Sequence, residues 1–158
     1  ENIIDFVRSE FKLGIGEHTA ENVKIAIGAV TPLVEGLSQS VRGRDFATGL
    51  PREIILTDAH IREAIMQSLD SLMETIKEVI EATPPELLSD VLQQGVTVFG
   101  GGALLRGLPE TLEKMLGVPV KVTPDPLTAV VRGAGIVTEN PLPYADFFID
   151  EENILSEA

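Results

Sequence analysis

The chain has 158 residues, of which 44% are hydrophobic and 4% aromatic, so we expect a soluble globular protein with an aliphatic core. Its formal net charge of −13 argues against a surface for nucleic acid or anionic membrane, because both require clustered Lys and Arg. The lack of cysteine excludes disulfides and thiolate metal sites and fits a reducing cytoplasm. No apolar run reaches the ~18–20 residues that span a bilayer, and no signal-peptide pattern opens the chain.

Two helices are predicted at the start. Residues 1–11 read as the middle of a helix, since apolar side chains recur at helical spacing without a preceding cap or an initiator Met. We therefore expect the natural N-terminus to lie before Glu1. A second, short helix follows, with Thr19 as its N-cap and Gly28 just past its end.

Residues 31–57 predict short antiparallel strands, because glycine and proline repeatedly interrupt the apolar residues. The arginines of this segment, at 42, 44 and 52, leave a binding role open but favour a solvated hairpin. Residues 58–83 carry the longest helical pattern. Thr57 or Asp58 caps the start of this helix, and a pair of prolines ends it.

The next part of the chain predicts a strand–helix–strand unit, preceded by a short helix with proline in its first turn. Residues 96–99 and 118–123 are short β-branched runs, typical of strands buried on both faces, and a helix begins near Leu108 between them. A strand–helix–strand connection is right-handed in nearly all proteins and joins parallel strands, so we expect these two strands to form a parallel pair. A final helix is expected to be closely packed through Gly133 and Gly135.

A triple glycine follows the first of these strands. Gly100, Gly101 and Gly102 place bare backbone at the carboxyl edge of the expected sheet, where α/β proteins bind ligands and a flat ring could lie. The run is not a phosphate-binding Walker loop, since no Gly-Lys-Ser/Thr follows, nor a G-x-G-x-x-G dinucleotide motif. A tight turn chosen for its geometry remains the alternative.

A second candidate lies on the short helix, where the spacing places Glu21, Lys24 and Gly28 on one side. These residues could hold a ribose hydroxyl and flank a base, although by itself the pattern favours an ordinary solvated ion pair. We expect His18 and His60 to be surface residues, since neither has a partner at metal-ligand spacing. No catalytic and no metal-binding residue is assigned.

Four stretches, in this order, resemble the MreB family of bacterial actin-like proteins. They are TAENVKIAIG, VRGRDFATGLPREI, ATPPELLSDVLQQGVTVFGGGALLRGL and DPLTAVVRGAG. The resemblance covers residues 1–139 and about the C-terminal half of the family's chain. It implies an α/β fold, the second lobe of the actin-like ATPase (ribonuclease H-like) architecture, with an incomplete sheet, helices and a small α+β subdomain.

The resemblance also implies a division of the chain. Residues 1–15 and 58–139 would form the larger base subdomain, and residues 16–57 the smaller one. Residues 140–158 would be an acidic, loosely held C-terminal tail, to which nothing from the family is carried over.

The family's adenosine site matches Glu21, Lys24 and Gly28 together with residues 100–102, so the resemblance implies ATP or ADP as the ligand, with Mg²⁺. The phosphate loops and the residues that hold the metal would precede residue 1. The parent protein is then a slow ATPase whose hydrolysis accompanies polymerisation, and this chain alone should not hydrolyse ATP.

The implied function is a cytoskeletal filament that maintains rod cell shape by organising cell-wall synthesis. Its implied partners are further copies of itself, the membrane-anchored adaptor RodZ and the cell-wall elongation machinery, with the filaments in the cytoplasm at the inner face of the membrane. Two other interpretations stay open: a small-molecule kinase of the same superfamily, and a binding module that docks an adaptor.

Overall fold

A computed structural model gives the structure of this protein and describes residues 1–147. The first part of the chain folds as helices packed on a three-stranded antiparallel sheet. In this sheet β2 lies in the middle, paired with both β1 and β3. The elements in chain order are α1 (Asn2–Phe11), β1 (Leu13–Gly14), α2 (Glu17–Ile27), β2 (Ser38–Asp45), β3 (Pro51–Thr57) and α3 (Asp58–Glu81).

The predicted helices and antiparallel strands of this part are confirmed, with one correction at the start of α2. Gly16, not Thr19, is the N-cap, and Thr19 lies inside the helix. Glu17 in the first turn favours the earlier start, because its carboxylate interacts well with the positive end of the helix dipole. Gly28 follows the last residue of α2, as predicted.

The second part of the chain carries a parallel pair of strands, in which Val96 lies opposite Val120. This pairing confirms the predicted strand–helix–strand unit. The elements are α4 (Pro85–Gln94), β4 (Val96–Val98), α5 (Leu108–Leu116), β5 (Val120–Val122) and α6 (Ala129–Glu139), with short 3-10 turns at Gly101–Leu104 and Leu142–Phe147. Residues 148–158, most of the predicted acidic tail, lie outside the described residues.

Two predictions about packing in this part are wrong. The strands are not buried on both faces, since Thr97 and Val122 are exposed; in the described part of the chain their sheet has no third strand to extend it. Nor is α6 closely packed through its glycines. A Cβ added at Gly133 or Gly135 would have no atom within 4 Å, and the apolar side chain of Val131 is 68% exposed.

One cluster of buried aliphatic side chains runs through the molecule and joins the two parts. It holds residues of α1, α2, α3 and the three-stranded sheet together with Leu108 and Leu112 of α5. The largest fully buried side chains are Val7, Leu13, Leu56, Ile61 and Leu112, so the core is aliphatic, as the composition predicts. The subdomain limits given above stay a prediction.

The junction between β3 and α3 is held by a capping box. The Thr57 side chain accepts a hydrogen bond from His60 N at 3.4 Å, and His60 Nδ1 accepts one from Thr57 N at 3.2 Å. Asp58 Oδ1 accepts from Leu37 N, and Arg62 pairs with the same carboxylate at 3.3 Å. His60 is therefore a half-buried capping residue and not the surface residue predicted from the sequence.

The β2–β3 hairpin has the predicted solvated character. Arg42 pairs with Glu53 and Arg52 pairs with Asp45, each at 3.0 Å, while Arg44 is exposed. The ion pairs therefore occupy two of the three arginines of this segment.

Candidate functional site

The glycine turn leaves β4 in a conformation that glycine alone adopts readily. Gly100 has φ of 82°, and its N–H donates to Pro126 O at 2.8 Å. This hydrogen bond fixes the segment before α6 beside the turn. As a result Leu127 lies next to Gly101: a Cβ added at Gly101 would be 3.5 Å from Leu127 Cδ2.

The end of α2 lies against the residues that follow this turn. Val30 N donates to Arg106 O at 2.8 Å, and Arg106 Nη1 donates to Gly28 O at 3.2 Å. Gly28 permits the close approach, because a Cβ there would lie 3.0 Å from Leu105 Cδ2 of the facing segment; it would also lie 2.3 Å from Lys24 O of α2 itself. Two segments far apart in the sequence are thereby brought together.

Between these segments lies a cleft of about 180 Å³. Glu21 and Lys24 of α2 and Gly101 of the turn all line it, so the structure brings together residues from both predicted groups. Gly100 and Gly102 belong to the turn without lining the cleft, and Gly28 does not line it either. The full lining is Glu21, Lys24, Ile25, Gly101, Leu104, Leu105 and Leu127.

The rim of the cleft is polar. Lys24 Nζ lies 2.6 Å from Glu21 Oε2, and both side chains are partly exposed. The pair matches the ion pair considered from the sequence, but it stands at the edge of an apolar cleft and not on an open surface. A carboxylate and an ammonium held this way can accept from and donate to the hydroxyl groups of a ligand.

Sequence reasoning missed the apolar walls, formed by Ile25, Leu104, Leu105 and Leu127. In the sequence, Leu104 and Leu105 stand side by side shortly after the triple glycine. That position was the available signal for the apolar walls. No local pattern marked Leu127, because tertiary contacts such as the hydrogen bond between Gly100 and Pro126 bring it to the cleft.

The size and chemistry of the cleft limit what it can hold. At about 180 Å³ it is smaller than the ~300–1,000 Å³ of pockets that bury a drug-sized ligand, so it suits one flat ring with a polar edge. A larger, more open depression of about 430 Å³ adjoins the Glu21–Lys24 pair towards α1 and lacks the glycine turn. Within residues 1–147 no group of three or more His, Asp or Glu is placed to hold a metal ion, and no helix is long and apolar enough to cross a membrane.

Residues 1–144 match the family described as MreB/Mbl protein. The chain belongs to the MreB/Mbl family. It is 41% identical over 138 residues to the cell shape-determining protein Mbl of Bacillus subtilis, and 42% identical over 139 residues to the cell shape-determining protein MreB of Escherichia coli K12. The matches cover 87% and 88% of this chain but 41% and 40% of those proteins, so it spans about two-fifths of their length.

Solved structures confirm the predicted actin-like fold of this MreB/Mbl-family chain. MreB5 of Spiroplasma citri, bound to ADP, superposes with a TM-score of 0.84 at 32% identity, covering 92% of this chain and 44% of MreB5. The AMPPNP-bound form of MreB5 gives the same values. A MamK double helical filament matches with a TM-score of 0.72 at 22% identity over 88% of this chain and 42% of MamK, and supports the fold alone.

The close approach at Gly28 yields a prediction about stability. Gly28→Ala should lower the free energy of unfolding by ~1–3 kcal/mol, because the added methyl group overlaps Lys24 O of α2 itself and crowds Leu105 Cδ2 of the facing segment, while the backbone φ of −65° suits any residue. The matched control is Gly133→Ala in α6, which has open space around the new Cβ and should stabilise by ~0.5–1 kcal/mol. Urea denaturation measures both; equal effects at the two positions would contradict the crowding around Gly28.

Proposed function

We propose that this chain supplies the adenosine side of the nucleotide cleft in a filament-forming, ATP-binding protein that maintains rod cell shape by organising cell-wall synthesis. The observation that supports it best is the cleft in which Gly101 of the turn faces Glu21 and Lys24 of α2. The family assignment supports the cell-shape part, and the ADP and AMPPNP bound to MreB5 support the nucleotide part.

The residues of the cleft fit a nucleoside. The apolar side chains of Ile25, Leu104 and Leu127 would contact the faces of a base, and the missing side chain at Gly101 leaves room at its edge. The Glu21 carboxylate and the Lys24 ammonium would hold the hydroxyl groups of the sugar. This part of the site therefore binds and orients the adenosine moiety and carries no group for catalysis.

The phosphates and Mg²⁺ require other residues. Lys24, the one cation in the lining of the cleft, is already paired with Glu21. We assign the phosphate and Mg²⁺ contacts, as the resemblance implies, to the part of the family's chain that precedes the matched segment. Bound ATP would supply the triphosphate whose hydrolysis accompanies polymerisation.

The remaining parts of the proposal concern assembly and location. The polymer is built from copies of the same protein, and RodZ and the cell-wall elongation machinery dock on it in the cytoplasm, at the inner face of the membrane. Residues 1–15 and 58–139 form the base subdomain that RodZ contacts, with residues 16–57 as the smaller subdomain above it. A small-molecule kinase of the same superfamily stays the alternative; two arginines of the 31–57 segment, Arg42 and Arg52, are held in ion pairs.

A pair of glycine variants tests the nucleotide site. Gly101→Val should weaken adenosine binding at least about tenfold, equivalent to ~1.4 kcal/mol, because the branched side chain enters the cleft. Gly102→Val is the matched control. Gly102 lies in the same turn and lines no part of the cleft, and a Cβ added there would have open space around it. The Gly102→Val variant should therefore bind adenosine within about twofold of the wild-type affinity.

NMR titration of the ¹⁵N-labelled 158-residue chain with adenosine measures these affinities even when binding is in the millimolar range. Shifts should appear at the amides of Ile25, Gly101 and Leu127. A folded Gly101→Val variant with unchanged affinity would remove the turn from the site, and a wild-type chain with no saturable shifts would overturn the adenosine assignment.

Sedimentation tests the polymer. A full-length protein that carries this chain should pellet in an ATP-dependent manner at high centrifugal force, and the same preparation should transfer no phosphate to small hydroxylated molecules. A protein that stays in the supernatant with ATP but phosphorylates such a molecule would establish the kinase alternative instead.

A further inference from the structure

Among the described residues, the hydrogen bonds between the two walls of the cleft go through a single residue. These bonds, which join segments 17–30 and 99–107, all involve Arg106. Its carbonyl oxygen accepts from Val30 N at 2.8 Å, and its backbone forms an isolated parallel bridge with Ala29. Its Nη1 donates to Gly28 O at 3.2 Å and to Ile25 O at 3.4 Å.

The side-chain contacts have a clear electrostatic basis. The last carbonyl groups of a helix have no partner within the helix, and they form the negative end of its dipole. The guanidinium of Arg106 keeps its charge at all ordinary pH values, and it lies at the C-terminal end of α2. It thus satisfies Ile25 O and Gly28 O with a charge of the favourable sign.

We infer that Arg106 is a positioning residue for the nucleotide site. It is not among the residues that line the cleft, so it acts through other residues. Arg106 binds the end of α2 to the chain directly after Leu105. It thereby sets the separation between the Glu21–Lys24 rim and Gly101. The inference rests on the proposed function, because the separation matters for binding only if the cleft takes a ligand across both walls.

Substitutions can separate two roles of Arg106: holding α2 through its positive charge, and packing through the apolar part of its side chain. One nitrogen atom, Nη1, serves both carbonyl groups, so a point cation such as the lysine ammonium can replace it. Methionine keeps an apolar stem of similar length and removes the donors. Arg106→Lys should therefore retain the geometry of the cleft that Arg106→Met loses.

Adenosine titrations of the ¹⁵N-labelled chain, followed by NMR, test this inference in the wild type, Arg106→Met, Arg106→Lys and Arg42→Met. Arg42→Met is the matched control, because it removes the same charge and also breaks an ion pair, on the hairpin away from the cleft. Arg106→Met should weaken binding at least about fivefold, Arg106→Lys should bind within about twofold of the wild type, and Arg42→Met should be unchanged. Before any ligand is added, Arg106→Met should also shift the amides of Ile25 and Gly101.

Urea denaturation of each variant confirms that it is folded under the titration conditions. A folded Arg106→Met variant with wild-type affinity would overturn the inference, and so would an Arg106→Lys variant as weak as Arg106→Met. If Arg106→Met does not fold, Arg106→Gln carries the test: intermediate weakening supports the inference and unchanged affinity overturns it. A wild-type chain that fails to bind adenosine would instead contradict the proposed function, before any variant is compared.

Discussion

The close approach of α2 to the residues after the glycine turn is the constraint on which the site depends. At Gly28 a Cβ would lie 3.0 Å from Leu105 Cδ2 across the contact, and 2.3 Å from Lys24 O within α2 itself. The parallel bridge between Ala29 and Arg106 continues this contact. Without it, the ion pair on α2 and the bare backbone of Gly101 would belong to two unrelated surfaces.

Several apolar side chains around the cleft stay in contact with solvent. Ile25, Leu104 and Leu127 are 65%, 55% and 68% exposed, although aliphatic residues of this size are usually buried. Exposed apolar side chains that cluster in one patch often mark a binding surface. Here they surround a cleft with a polar rim, the arrangement expected of a site for a flat ring and a sugar.

The sequence predicted local structure well because local structure depends on nearby residues. Helical spacing and proline marked the limits of α3 and α4, and glycine correctly marked the end of α2. Burial could not be predicted in this way. The β-branched pattern of residues 96–99 is compatible with a strand covered on both faces, but coverage depends on neighbouring elements and not on the strand itself.

The candidate site, too, could be predicted from the sequence only in part. Glu21, Lys24 and Gly101 were chosen from residue type and from resemblance, and the structure places all three around one cleft. Leu127 could not have been chosen, since its position follows from the hydrogen bond between Gly100 and Pro126. Arg106 was also missed, because its contacts to the end of α2 depend on the tertiary fold.

The central claim is that α2 and the glycine turn form two walls of one base-binding cleft. Intermolecular nuclear Overhauser effects between adenosine and the methyl groups of the chain test it most directly. The ring protons of adenine should give effects to the methyl groups of Ile25 on one wall and of Leu104 and Leu127 on the other. Saturable binding with effects to only one wall, or to methyl groups elsewhere in the chain, would contradict the claim.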